Sequence, residues 1–164
     1  MRSTQLFVEP ALPGLDVYDG YQVIQERRTT DQRLRKFLNE KLDRLEKQFA
    51  RFGFQLRQHG SHNSFELFDR IVLSLKMLSQ SLIDPAYNSG PFFKKNVNPA
   101  KLHQIVEYDQ HLASQIDVLL DEAQHLEQMA DDEEIEEVLN HLYDLIDGVN
   151  QTWSEREFLI LDEN

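Results

Sequence analysis

The stretch LNEKLDRLEKQFARFGFQL, residues 38–56, carries the pattern that decides the fold. Its large apolar side chains recur at alternating spacings of four and three residues, at Leu38, Leu42, Leu45, Phe49, Phe52 and Leu56. This alternation places them on one stripe of an α-helix, as in helices that pack side by side. Because similar stripes return in three later segments, the sequence predicts an all-α protein, an antiparallel four-helix bundle with coiled-coil-like heptad seams.

We expect a single helical domain spanning residues 1–164. Its predicted parts are an irregular N-terminal segment (1–28), four helices (30–58, 64–83, 99–130 and 132–157) and a long loop (84–98) between the second and third helices. Gly60 ends the first helix, Pro85 ends the second and Pro99 opens the third. The second helix has the widest apolar arc, which includes Leu73 and Met77, so we expect it to be the most buried.

The apolar stripes of the third and fourth predicted helices are out of phase. The step from Ala130 to Ile135 is five residues, which rotates the stripe by about 100°. A turn near residues 129–132, with Asp131 capping the next helix, accounts for this shift. One continuous helix with a stutter is the alternative, because neither Gly nor Pro lies between Pro99 and Gly148.

The composition narrows the class of protein. The chain contains no Cys, which excludes disulfides, thiolate metal sites and Cys nucleophiles. No apolar run is long enough for a transmembrane helix and no secretory signal is visible, so we expect a cytoplasmic protein without a membrane partner. The net charge of −12 divides into +4 over residues 1–100 and −16 over residues 101–164. This split favours attraction between the two halves, or attraction of a basic partner to the acidic half.

Two motifs of the third helix contain the residue types of bundle metal sites. His103-x-x-x-Glu107 resembles half of the haemerythrin ligand pattern, and Glu122-x-x-His125 resembles the Glu-x-x-His of di-iron carboxylate bundles. Either resemblance implies iron or manganese. Ligands in such bundles point into the core, whereas the helical phase places His103, Glu107 and His125 opposite the apolar stripe and Glu122 at its margin. We therefore expect a solvated face, with no metal and no cofactor.

A second enzyme family has a signature similar to part of the acidic region. Asp121-Glu122-x-x-His125 and Glu137-x-x-Asn140 resemble the Glu-Glu-x-x-Glu and Glu-x-x-Asp motifs of the all-α nucleoside-triphosphate pyrophosphatases. The resemblance implies a magnesium-dependent enzyme. The sequence departs from the signature at His125 and Asn140, and a histidine weakens such a site because Mg²⁺ prefers oxygen ligands.

Two opposite charges fall on or beside the apolar stripes. Asp109 lies within the stripe of the third helix, and Arg156 lies near the edge of the stripe of the fourth. An unpaired buried carboxylate is costly, and a turn near residue 131 would bring the two positions to similar heights. We hypothesise a structural Asp109–Arg156 pair that sets the register of the helices. The alternative is that both side chains reach solvent.

The predicted loop 84–98 carries aromatic and basic side chains, at Tyr87, Phe92, Phe93, Lys94 and Lys95. A loop of this length in a compact bundle is often functional, and aromatic anchors beside cations are typical of interaction surfaces. These residues are our candidate partner-binding residues, together with Glu136, Glu137 and Asp144 of the acidic C-terminal hairpin. The alternative is that the phenylalanines plug the end of the bundle.

The first helix carries a basic stripe opposite its apolar seam, formed by Arg33, Lys36, Arg44, Lys47 and Arg51. The i,i+4 pairs Glu40–Arg44 and Asp43–Lys47 are expected to neutralise part of it. We expect a solvated face and no nucleic-acid partner, because the acidic half would repel a phosphate backbone. Packing of this stripe against the acidic helices, within one chain or between two, is the alternative.

The expected function follows from the surface, since no catalytic constellation remains. We expect a non-enzymatic helical interaction protein, such as an adaptor, a chaperone or a regulatory subunit. Its partner would be a protein, with a basic protein as one option and a homodimer as another. The alternatives are a divalent-metal-dependent all-α enzyme of the pyrophosphatase or di-iron type, and an acidic mimic of nucleic acid.

Overall fold

The computed structural model describes residues 11–59, 62–84, 90–129 and 131–162. Its elements are two single-turn 3-10 helices, Ile24–Glu26 and Pro91–Phe93, and four α-helices, which are α1 (Arg27–His59), α2 (His62–Ile83), α3 (Pro99–Leu126) and α4 (Asp132–Leu161). Within these ranges the only β-type pairing is an isolated bridge between Leu12 and Leu15. The predicted all-α class and the four-helix bundle are confirmed.

Each α-helix packs mainly against two others. α1 and α4 both contact α2 and α3, so α1 and α4 lie on one diagonal of the bundle. In the ion pairs between α1 and α3 the residue numbers of both helices increase together, from Lys41–Asp117 to Arg51–Glu127, which indicates that these two neighbouring helices run in the same direction. The fully antiparallel order is therefore not confirmed. The length of the connection between α2 and α3 stays a prediction, because residues 85–89 lie outside the described ranges.

The bundle core consists of the seam residues that the periodicity singled out. All six seam residues of residues 38–56 are buried. Two of them contact α2 through the edges of their rings. The centroid of the Phe68 ring lies 5.9 Å from that of Phe49 and 5.6 Å from that of Phe52. Offset and edge-on ring contacts of this kind add to the gain from burying apolar surface.

The third and fourth helices are separate, as the phase shift indicated. α3 ends at Leu126 and α4 begins at Asp132, where the Asp131 carboxylate accepts a hydrogen bond from the Glu133 amide. This contact satisfies one of the unpaired N–H groups at the start of α4. α3 is shorter than predicted, because the Gln128 amide already donates to His125 in a turn. α4 extends beyond its predicted end at residue 157.

The expectation that the second helix is the most buried is wrong. Leu73 and Met77 of α2 are 60% and 65% exposed. Both belong to the widened apolar arc, but α1 and α4 cover only the seam side of α2. A helix in a four-helix bundle has two packed sides, so a wide apolar arc leaves its margins in solvent.

Of the N-terminal segment that the sequence predicted as irregular, the described residues 11–26 are packed onto the bundle. Leu12, Tyr18 and Tyr21 are buried in the core, and α1 begins at Arg27, slightly before its predicted start. In the described part of the chain, none of the helices combines the length and the apolar character needed to cross a bilayer.

Gly53 of α1 lies against the Phe68 ring of α2. A Cβ atom at this position would lie 2.7 Å from Cε1 of Phe68, whose ring is held between Phe49 and Phe52. We expect Gly53→Ala to destabilise the protein by about 1–2 kcal/mol, because overpacking costs more than the helix propensity of Ala gains. Urea unfolding with the midpoint and the slope fitted together measures the change.

Gly148→Ala is the matched control. A Cβ there would meet only the Gln115 Nε2 atom, at 3.6 Å, which is an ordinary contact. Stabilisation by up to about 1 kcal/mol is expected from helix propensity alone. Equal effects of the two substitutions would show that the contact with Phe68 does not constrain the packing of α1 on α2.

Candidate functional site

Arg156 of α4 lies at the centre of a buried polar cluster. Its Nε donates to Oδ1 of Asp109 on α3. Its Nη2 donates to Oδ1 of Asp31 on α1 at 2.7 Å and to the Tyr21 hydroxyl at 2.8 Å. The structure therefore brings Asp109 and Arg156 together, and neither side chain reaches solvent. Their role in setting the helix register stays a prediction.

The Asp109 carboxylate is hydrogen-bonded on both oxygens. Oδ1 accepts from Arg156, and Oδ2 accepts from the hydroxyls of Tyr18 and Tyr21, each at 2.6 Å. A buried carboxylate without such donors would be strongly unfavourable. The N-terminal segment is thus held to the bundle by two hydroxyl donors that converge on one oxygen atom.

Arg35 extends the cluster to the end of α2. Its Nε donates to Oδ2 of Asp31 at 3.0 Å, and its Nη1 donates to the carbonyl oxygens of Ser81, Leu82 and Asp84 at 3.1, 2.9 and 3.3 Å. The last carbonyls of a helix lack partners within the helix and carry partial negative charge, so a guanidinium stabilises them. The Trp153 ring lies 4.7 Å from the Arg35 guanidinium and 5.1 Å from that of Arg156.

We call this cluster the polar layer, and it consists of Tyr18, Tyr21, Asp31, Arg35, Asp109 and Arg156. It joins all four α-helices and the N-terminal segment, and its two carboxylates balance its two guanidinium groups. All six side chains are buried. Because a catalytic acid or base must meet a substrate, this enclosure favours a structural role for the polar layer.

Burial and charge act together on the titrating groups. Burial raises the pKa of Tyr21, and the Asp109 carboxylate adds to this effect; the pKa of Tyr18 is raised for the same two reasons. Burial lowers the pKa of Arg156, but Asp109, Tyr21 and Asp31 more than offset it and hold that pKa well above its usual value. Both tyrosines therefore act as hydrogen-bond donors and Arg156 stays a cation over a wide pH range.

Four of the six residues of the polar layer were missed in the sequence. The seam of α1 continues backwards in the same alternation through Arg35 and Asp31, which lie three and seven residues before Leu38. Two opposite charges at seam positions were the available signal. Tyr18 and Tyr21 lie in a segment without periodicity, where no pattern indicated burial.

The predicted partner-binding residues of the loop need correction. Phe92 and Phe93 are 2% and 5% exposed, so they are not available as aromatic anchors for a partner. Buried Arg27 holds this turn by donating to the carbonyl oxygen of Phe92 at 2.7 Å and to that of Lys95 at 2.9 Å. The two rings fill the end of the bundle, as in the alternative reading. The side chains of Lys94 and Lys95 are exposed, and Tyr87 lies outside the described residues.

The candidate metal ligands lie on outer surfaces. His103 and Glu107 pair at 3.3 Å with both side chains largely exposed, Glu122 is half-buried and His125 is exposed. Across the ranges that the structure describes, no group of three or more His, Asp or Glu side chains is arranged to hold a metal ion.

The predicted acidic residues Glu136, Glu137 and Asp144 share one side of α4. We call it the acidic face, and its carboxylates are Glu133, Glu136, Glu137, Asp144, Asp147 and Glu155. Of the eleven residues of α4 within about 60° of this line on a helical wheel, all but Gly148 are exposed, and none is Lys, Arg or His. Among the described residues, no cation pairs with these six acids, and only Glu155 accepts side-chain hydrogen bonds, from Tyr108 and Gln151.

Apolar side chains lie among these acids. Tyr143 is 39% exposed, and Phe158 and Leu161 are 74% and 49% exposed at the end of the same line of residues. An acidic surface with exposed aromatic groups differs from an ordinary solvated face, because aromatic side chains are enriched where proteins contact partners.

No protein-family model, curated protein or solved structure matches this chain.

The Asp109–Arg156 contact can be tested by a double-mutant cycle with Asp109→Asn, Arg156→Met and the double variant. Each single substitution is expected to cost about 3–5 kcal/mol, because it leaves a buried charge without its partner. The double variant is expected to lose about 2 kcal/mol less than the sum. Free energies of unfolding from urea titration measure the coupling.

The exposed pair Arg51–Glu127 is the matched control for this cycle. Its coupling is expected to stay below about 1 kcal/mol, because water screens surface ion pairs. If the two cycles give the same small coupling, Arg156 and Asp109 do not act as a pair.

Stability is expected to fall steeply above about pH 10. The folded-state pKa values of Tyr18 and Tyr21 are raised, so above the usual tyrosine pKa of about 10 the unfolded chain releases protons that the folded chain keeps. Each tyrosine then removes about 1.4 kcal/mol of stability per pH unit. Tyr18→Phe should make this slope shallower by that amount.

Urea unfolding at several pH values on both sides of pH 10 measures the slopes. Between about pH 7 and pH 9, below the tyrosine pKa of about 10, the slopes of the wild type and of Tyr18→Phe should agree, since Tyr18 stays protonated in both the folded and the unfolded chain there. A slope above pH 10 that is unchanged by the substitution would contradict the buried hydrogen bond from Tyr18 to Asp109.

Proposed function

We propose that this protein is a non-enzymatic helical interaction protein that binds a basic protein surface with the acidic face of α4. The observation that carries the proposal is the acidic face itself, which has six exposed carboxylates without a paired cation in the described part of the chain. Charges of one sign on neighbouring turns repel each other. A bound basic surface would relieve this repulsion, and it would approach under electrostatic steering.

The shape of the acidic face supports a protein partner over a small ligand. The face runs from Glu133 to Leu161 along a single helix, a length of about 40 Å at 1.5 Å per residue. Tyr143 in the middle and Phe158 near the end add exposed apolar surface to the charge. Aromatic anchors surrounded by polar groups are the usual composition of a protein interface.

Lys94 and Lys95 remain part of the proposal as a second contact at the bundle end. Both side chains are exposed next to the buried turn Pro91–Phe93, which holds their backbone in place. Since their charge is opposite to that of the acidic face, they would contact a different part of the partner. An adaptor, a chaperone or a regulatory subunit can each use two surfaces of this kind.

The proposal is tested with the triple variant Glu136→Gln, Glu137→Gln, Asp144→Asn. Wild type and variant are immobilised and exposed to an extract of the cells that produce the protein, and retained proteins are quantified by mass spectrometry. We expect a set of basic proteins, which can include the chain itself, to be retained by the wild type and lost from the variant. They should also be lost at about 0.5 M salt, where exposed charges are screened.

The matched control removes three acids elsewhere, with Asp16→Asn, Asp69→Asn and Asp121→Asn. These residues are exposed and lie off the acidic face, so the control should retain the same proteins as the wild type. The proposal fails if no protein distinguishes the variant from the control. Loss of binding in both would indicate a response to net charge and not to the acidic face.

A further inference from the structure

A second charged helix face lies on the diagonally opposite side of the bundle. Five exposed cations line the outer side of α1, and they are Arg33, Lys36, Arg44, Lys47 and Arg51. We call this line the basic face. The acids Glu40 and Asp43 lie on it, and Phe54 is 65% exposed near its end. Five cations and two acids leave a net charge of +3 on this face.

The basic face is only weakly neutralised within its own chain. Glu40 lies 3.9 Å from Lys36, and Arg51 lies 3.4 Å from Glu127 on α3; both pairs are largely exposed to water. Exposed pairs of this kind contribute little. The expected pairs Glu40–Arg44 and Asp43–Lys47 are not among the ion pairs within 4 Å that the described residues form.

The charged positions of the two faces have the same spacing. Arg33, Lys36, Arg44 and Lys47 follow each other at intervals of three, eight and three residues. The acids Glu133, Glu136, Asp144 and Asp147 repeat these intervals on α4. Because both helices rise 1.5 Å per residue, four cations of one helix can lie opposite four carboxylates of the other over about 21 Å.

A parallel alignment of the two helices is the better of the two possible directions. In this alignment Glu40 lies opposite Asn140 and Asp43 opposite Tyr143, so the acids of the basic face meet no carboxylate. Phe54 lies opposite Ser154, one turn from exposed Phe158. In the antiparallel alignment Asp43 would meet Glu137, and Phe54 would extend past the start of α4.

We propose that the basic partner of the acidic face is a second copy of this chain, whose α1 docks in parallel on α4. This inference rests on the proposed function and names its partner. The net charge of −12 opposes association at long range. At physiological salt, however, charges more than about 8 Å apart are screened, so the charges in contact decide the outcome.

The diagonal placement of the two faces sets the form of the assembly. α1 and α4 do not share a side of the bundle, so a two-fold dimer cannot form both contacts at once. A docked pair of copies still offers one free acidic face and one free basic face. A contact between two different surfaces continues into an open row, unless its rotation closes a ring.

The test uses two variants, each of which removes one face. Arg44→Gln with Lys47→Gln neutralises the centre of the basic face, and Asp144→Asn with Asp147→Asn neutralises the centre of the acidic face. All four residues are exposed, so circular dichroism and thermal melts should show an unchanged fold. Sedimentation velocity at rising protein concentration and about 0.1 M salt measures the size distribution.

We expect the wild type to form species larger than a dimer, and each variant alone to lose them. An equimolar mixture of the two variants should form a 1:1 dimer and nothing larger, because each variant supplies the face that the other lacks. The control Arg70→Gln with Lys76→Gln, which removes two exposed cations of α2, should assemble like the wild type. About 0.5 M salt should dissociate the assemblies.

Three results would overturn the inference: a wild type that stays monomeric, an association that stops at the dimer, or an association that neither variant weakens. A monomeric wild type whose acidic face still retains other basic proteins from the extract would leave the proposed function in place. It would show that the partner is a different protein.

Discussion

The guanidinium of Arg156 has no access to water, and this constraint accounts for the side chains that three other parts of the chain direct at it. An arginine cannot lose its proton in a protein, so its neighbours must supply negative charge and acceptors. Asp109 and Asp31 do so from two other helices. Apolar seams tolerate a shift of one heptad, because one leucine can replace another. The hypothesis that the polar layer sets the register rests on this difference, since a shift would separate Arg156 from both carboxylates, and a polar seam position can select one register.

The polar layer also explains how the N-terminal segment belongs to the fold. Residues 11–23 contain no α-helix, yet the hydroxyls of Tyr18 and Tyr21 both donate to Oδ2 of Asp109. Tyr21 is further held by Arg27, which donates to its carbonyl oxygen at 2.7 Å and binds the Phe92 turn. The segment and the turn Pro91–Phe93 therefore stabilise each other at one end of the bundle. This coupling places Phe92 and Phe93 in the core, so the exposed aromatic side chains of the proposed partner surface lie on α4 and not in the loop.

Charge is balanced inside the bundle and separated outside it. The two carboxylates and two guanidinium groups of the polar layer cancel within a few ångströms, whereas the exposed charges accumulate with opposite signs on α1 and α4. The asymmetry between the two halves of the sequence becomes a spatial asymmetry because these helices occupy one diagonal. Neither face can neutralise the other within the chain. This separation is the physical basis for the proposed binding of a partner.

The sequence alone determined the helices, since a 4-3 alternation of apolar residues has one favourable conformation, and the phase shift at residue 130 separated α3 from α4. It also marked Asp109 and Arg156, because a charge on an apolar stripe needs a partner. The tertiary structure decided what periodicity does not encode. The local pattern shows which side of a helix is apolar but not which helix lies beside it. The sequence therefore did not indicate that α1 and α4 lie on one diagonal of the bundle. Tyr18 and Tyr21 lie in a segment without periodicity, so no pattern indicated that they are buried. Their position depends on the Asp109 carboxylate, which only the folded bundle places beside them.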